Sequence, residues 1–102
     1  MTEQPVEPNE TQWIFDQERN VATITTRQVI HENLPILSVV HFKDDDSWAF
    51  TCGTTNKPED LLLVGMGEVV DRDESLYSIA DLPSGWSAYR ISIHDEWKRV
   101  KE

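Results

Sequence analysis

Cysteine is almost missing from this chain: Cys52 stands alone among 102 residues. A lone cysteine forms no intrachain disulfide, which excludes the disulfide-stapled small folds and fits a reducing compartment. No C-x-x-C, H-x-x-x-H or H-E-x-x-H spacing occurs, so the local signatures of a zinc site are missing too. Basic residues are scarce, nine Lys and Arg against nineteen Asp and Glu, for a formal charge of −10. Nucleic acid and anionic lipid are polyanions, so this balance speaks against both and favours a basic partner such as a cationic protein. Long apolar runs are lacking as well. The longest, Leu61 to Val64, is far too short to span a bilayer. The opening MTEQPVEPNETQ has no basic-then-apolar order of a secretory signal. Together these absences predict a cytoplasmic protein with no membrane contact. Glycine numbers four, and Gly65 and Gly67 have neither a third glycine nor the Gly-Lys-Ser/Thr of a phosphate-binding loop.

What is present is enough for one domain. A chain of this length buries roughly 65% of its unfolded surface, and four tryptophans supply much of the apolar area. The organising stretch is Leu34 to Gly53, in which the β-rich run Ile36–Phe42 meets three acids and then the β-rich run Trp48–Cys52. Pairing Phe42 with Trp48 sets Val40 opposite Phe50 and Ser38 opposite Cys52, which places the apolar pairs on one face. The expected core is therefore Val40, Phe42, Trp48, Phe50 and Cys52 from the hairpin, joined by Leu76, Ile79 and Trp86.

Around the hairpin, residues 1–11 read as a disordered acidic tail broken by Pro5 and Pro8, and residues 12–102 as the domain. Trp13 to Phe15 reads as an edge strand or a segment that docks on the core. Val21–Thr25 predicts a strand. Thr25 and Gln28 have capping-box spacing for a short helix that carries Val29 and Ile30 inward and stops at Asn33 and Pro35; the alternative is a strand running on to Ile30. Leu61–Met66 predicts a buried strand broken near Gly65 or Gly67, with a helical turn over Glu68–Val70. Asp73–Leu82 predicts the best helix, capped by Asp73, with Leu76, Ile79 and Ala80 on one face and Pro83 as its stop. Trp86–Ile93 predicts a strand, and Trp97–Val100 a last short one. The sum is an α+β domain: an antiparallel sheet of four to six strands built on the central hairpin, with one or two short helices on one side.

Candidate chemistry is sparse. Cys52 and His41 suggest a nucleophile and base, but the expected register turns them to opposite faces, which predicts a structural cysteine and no catalytic site. His31 and His94 fall in helix-end and turn positions without converging ligands, so no metal and no cofactor is expected. Asp44, Asp45 and Asp46 do not alternate as calcium ligands do; they read as a solvated turn or a contact for a basic partner. Asp71, Asp73 and Glu74 read as helix-capping acids or as a second such contact. Arg90 is expected to pair with an acid of the helix or to line a cleft.

The order of features from Ala22 to Arg90 resembles a bacterial family of small proteins grouped by genome context with the immunity proteins of polymorphic toxin systems, as their thirty-third class. The residues that carry it are Thr26-Arg27-Gln28-Val29, Asp46-Ser47-Trp48-Ala49-Phe50-Thr51-Cys52-Gly53, Leu61 to Met66, Asp73-Glu74-Ser75-Leu76 and Gly85-Trp86-Ser87-Ala88-Tyr89-Arg90. The motif is made of turn and core residues. The resemblance implies a binding protein that masks a toxin effector, and implies no catalytic residue. With the charge, it predicts a non-enzymatic domain that meets a basic protein through Asp44, Asp45, Asp46, Asp71, Asp73 and Glu74. The rival reading is a housekeeping regulatory or interaction module with no toxin link, which the neighbouring genes would separate from the first.

Overall fold

The structure, a computed structural model, describes residues 13–53 and 57–102. The expected tail over residues 1–11 lies outside the described residues. The elements are β1 (Ala22–Thr26), α1 (Arg27–His31), β2 (Ser38–His41), β3 (Trp48–Thr51), β4 (Leu61–Gly65), α2 (Met66–Val70), β5 (Trp86–Tyr89) and β6 (Lys98–Lys101), with 3₁₀ turns at Pro58–Asp60 and Glu74–Ile79. The strands form one sheet in the order β4-β1-β3-β2-β5-β6, so the β2–β3 hairpin does sit at its centre. Short helices pack against this sheet, which is the α+β architecture expected. One pairing departs from expectation: β1 and β3 run parallel, and the sheet is mixed. The connection through α1 reverses the chain between β1 and β2. The return strand of the hairpin slots between them and so runs alongside β1.

The hairpin register is one residue away from the predicted one. His41 pairs with Trp48, Val40 with Ala49, Val39 with Phe50 and Ser38 with Thr51. Phe42 donates its N–H to the Ser47 carbonyl at 2.8 Å, which leaves four residues in the turn. Asp46 closes that turn in the left-handed region, at φ 63. Because side chains alternate, this single step exchanges the faces. Val39 and His41, not Val40 and Phe42, join Trp48 and Phe50 in the interior, and Phe42 is 37% exposed. The apolar pattern did not decide between the two registers because Val39 and Val40 are adjacent and equally apolar. His41 broke the tie, since inside the fold its Nδ1 meets a carbonyl and its ring stacks on Trp48, as described below.

The remaining expected core residues hold their places: Trp48, Phe50, Cys52, Leu76 and Ile79 are buried, and Trp86 packs partly buried against them. Phe15 docks edge-on against Trp48 with ring centres 5.2 Å apart, from an irregular segment with no strand pairing. The predicted helix over Asp73–Leu82 is a 3₁₀ turn over Glu74–Ile79. Its buried residues Leu76 and Ile79, and Leu82 just beyond it, are spaced by three, the pitch of a 3₁₀ helix rather than an α-helix. Asp73 caps it as predicted, accepting from the Ser75 N–H at 2.9 Å. The expected capping box at Thr25 and Gln28 does not form. Thr26 is the residue at the start of α1, and its hydroxyl donates to the Cys52 sulfur at 3.7 Å instead. Asn33, with φ 56, turns the chain out of α1 as expected. Gly67 lies where an added Cβ would come 3.2 Å from the Arg19 Cβ and 2.5 Å from its Nη1, so a side chain there would have to push Arg19 aside at the β4–α2 corner.

Tyr77 packs against Phe15 and edge-on against Trp13, and its hydroxyl is buried with no hydrogen-bond partner. Burial pushes its phenol above the ordinary value, an effect that Arg19 opposes. The Tyr77→Phe variant removes an unsatisfied group and is expected to leave stability unchanged or raise it by about 0–1 kcal/mol in urea unfolding. The folded state holds the Tyr77 proton more tightly than the unfolded chain does. Stability in the parent protein is therefore full below the ordinary tyrosine value and falls as pH rises through the raised one, and the variant loses that part of the alkaline decline.

All of the buried cluster lies on one side of the sheet. Among the described residues, no helix lies over the other side. The interior face of β1 uses Thr23 and Thr25; the opposite face presents Ile24. The same alternation leaves Val40, Ser87, Leu63 and Val100 on the open side.

Candidate binding surface

The six acids predicted to meet a partner sit in two groups. Asp44, Asp45 and Asp46 form the β2–β3 turn; Asp71, Asp73 and Glu74 lie between α2 and the second 3₁₀ turn. Most of them already have internal work. Asp46 reaches the His41 Nε2 at 2.6 Å and accepts from the Gln17 amide. Asp45 accepts from the Ser47 hydroxyl at 2.7 Å, and this bond, with that from the Ser47 N–H, holds its carboxyl below the ordinary value. Asp71 takes a two-pronged bond from Arg19, at 2.9 and 3.0 Å. Asp73 caps the 3₁₀ turn and pairs with Arg90. Asp44 and Glu74 are exposed and make no ion pair among the described residues.

His41 is the polar residue that sequence reasoning placed on the wrong face. Its ring stacks on Trp48 at 4.1 Å between centres and 13° between planes. Nδ1 lies 2.7 Å from the Leu82 carbonyl oxygen, which only accepts, so Nδ1 carries its hydrogen. Gln17 completes the arrangement, accepting from Trp48 Nε1 at 2.9 Å and donating to the Asp46 carbonyl at 2.9 Å. The ring thus locks the acidic turn to the loop after the 3₁₀ turn. The signal in the sequence was the acid five residues on from the histidine, at a distance a tight hairpin turn brings back.

His41 and Cys52 share the interior face but not a site. Cys52 lies level with Leu37, four strand residues from His41, about 13 Å away. Both ring nitrogens of His41 face other atoms. A nucleophile–base pair is not built here, and the reason differs from the predicted one: separation along the strand, not opposite faces.

Comparison of the chain with family models, curated proteins and solved structures gives no match.

An open cleft of about 930 Å³ lies between the end of β5 and the second 3₁₀ turn, lined by Ile36, Asp73, Glu74, Arg90, Ile91 and Ile93 among others. Arg90 is both things it was expected to be, partner of a helix-cap acid and wall of a cleft. Its Nε and Nη2 donate to the Ile36 carbonyl at 3.1 and 2.9 Å, Nη1 donates to the Ser75 hydroxyl at 3.0 Å, and Nη2 also binds Asp73. The guanidinium lies 4.3 Å from the ring centre of Trp97. Every prong is used, so the cleft wall is a brace and not an open cationic site. β5 ends at Tyr89, short of the predicted Ile93, and leaves Ile91 and Ile93 at the rim, 79% and 57% exposed.

Proposed function

We propose that the domain is a non-enzymatic binding protein that masks a basic protein partner, such as a toxin effector, through its acidic surface. The observation that carries this reading is how the charges are divided. Arg19, Arg27, Arg90 and Arg99, four of the five arginines, are each held by a carboxylate of the same chain. Among the described residues a surplus of acids, Asp44 and Glu74 among them, makes no ion pair. An outward field of one sign accelerates the encounter with an oppositely charged surface. The resemblance to the immunity-protein class supports a toxin effector as that partner, and the lone, buried Cys52 supports a cytoplasmic setting.

The test is affinity capture from the source cell at low and moderate salt, using the parent chain and an Asp44→Lys/Glu74→Lys variant as baits. The expected result is one basic protein retained by the parent, more weakly as salt rises, with association to the purified partner slowed roughly tenfold by the double charge reversal. Absence of any retained protein at both salts overturns the reading. So does a partner held equally well by the reversed bait.

A further inference from the structure

The sheet has a side that neither the core nor the acidic turns use. One line of paired residues crosses all six strands there: Leu63, Ile24, Ala49, Val40, Ser87 and Val100. Strands β4, β1, β3 and β2 contain no Asp, Glu, Lys or Arg, in a chain where 27% of residues are charged. Leu63 is 72% exposed and Val100 43%, and Phe42 and Tyr89 flank the line with large exposed rings. A basic partner finds no carboxylate to pair with on these four strands, because the acids lie in the turns and ends.

The same line is complementary to itself. Consider a two-fold axis that runs along the strands between β3 and β2. It sets the first strand of one copy over the last strand of the other. Leu63 then lies over Val100, Ile24 over Ser87 and Ala49 over Val40, so each larger side chain meets a smaller one. The Ser87 hydroxyl donates to the Glu102 carboxylate at 2.7 Å, so this carboxylate must swing aside. Two sheets packed at about 10 Å interdigitate in this way. We propose that this face is the docking surface for a second copy of the chain, giving a face-to-face homodimer. Six strands about 4.8 Å apart and five residues of about 3.3 Å make a face of roughly 450 Å² in projection on each copy. Two such faces come to about 900 Å², below the roughly 1,200 Å² at which stable specific interfaces begin, so the dimer is a weak one that exchanges with monomer. Two bodies of charge −10 also repel, and that repulsion is screened by salt. This dimer does not depend on the basic partner proposed above.

Sedimentation velocity of the full chain over a concentration series, at low and high salt, tests it. The expected result is a shift from one-chain to two-chain mass with concentration, strengthened by salt, the opposite of the salt response expected for a basic partner. Leu63→Lys and Val100→Glu each change a solvent-facing residue and leave the unfolding midpoint within reach of the parent's. Each is expected to raise the dissociation constant roughly tenfold or more, and the double variant to restore it, because each new cation meets the other copy's new anion. A one-chain mass at every concentration and both salts overturns the proposal. So does a dimer indifferent to both single substitutions, or one that the double variant does not recover. None of these outcomes touches Asp44 or Glu74, so failure here is distinct from failure of the binding reading.

Discussion

Arg90→Met is expected to cost about 3–5 kcal/mol of stability in urea unfolding, one of the two largest single-residue losses in this chain. The guanidinium is 2% exposed as a side chain and its hydrogen bonds reach two separate segments, the Ile36 carbonyl before β2 and Asp73 with Ser75 around the start of the 3₁₀ turn, while the Trp97 ring of a third lies against it. Methionine fills much of the volume and takes away every donor. The Ile36 carbonyl and the Asp73 carboxylate are then left facing an apolar chain, and an unpaired buried group costs more than its bond had contributed. Arg90→Lys recovers little, because a single ammonium does not present the planar fork that binds a carbonyl, a hydroxyl and a carboxylate at once. Asp73→Asn on its own keeps the cap on the Ser75 N–H and loses less. Adding it to Arg90→Met removes the orphaned charge, so the double variant is expected to be more stable than the sum of the single losses allows. Strict additivity would show that the pair is not coupled and that the loss at Arg90 is a matter of packing.

The same residue marks how far the sequence could be read. An arginine after a strand and an acid at a helix start were enough to suggest the pair. The three further bonds were not visible, because they depend on β5 ending at Tyr89 and turning Arg90 back over β2. Local patterns carried most of the elements: the strand at Val21–Thr25, the break at Gly65, the cap at Asp73 and the stop at Asn33 are each set by residues within a few positions. Where two choices were locally equal, distant contacts decided. Val39 and Val40 are interchangeable until Leu82 and Asp46 give His41 a place inside. Leu76, Ile79 and Ala80 fit an α-helix until Leu82 joins them at a spacing of three. The parallel pairing of β1 with β3 has no local signature at all; it follows from where the hairpin inserts.

The candidate surface shows the same division. Acids could be counted from composition, and two of them, Asp44 and Glu74, do face outward. The other four have structural tasks that pairwise spacing did not disclose. Asp71 is bound to Arg19, which is 52 residues away, and Asp46 closes a turn whose length fixes the register of the whole sheet. Charge on this protein therefore has two jobs. Carboxylates that meet an arginine or His41 hold segments together, and those left over set the field outside. A substitution at Asp71 or Asp46 would alter the fold and the field at once, which is why the binding test uses Asp44 and Glu74.

The other large effect separates the two registers by one residue. Val39→Asp is expected to unfold the chain, or to bring its urea midpoint close to zero, whereas Val40→Asp is expected to cost about 1 kcal/mol or less. Val39 is fully buried against Phe50, and a lone carboxylate there has neither water nor a cation, a penalty of several kcal/mol against a total stability of about 5–15 for a domain of this kind. Val40 is half-buried on the open side between Ala49 and Ser87, where a carboxylate still reaches water. Far-UV circular dichroism with urea titration of both variants gives the order directly. If Val40→Asp were the more damaging, Phe42 and Val40 would be the inward pair and His41 would be outside. Val40→Asp has a second use, since it puts a carboxylate at the middle of the proposed docking face, against Ala49 of the other copy. A folded Val40→Asp chain that stays a monomer where the parent dimerises would tie the hairpin register and the function of the open face to the same alternation of side chains.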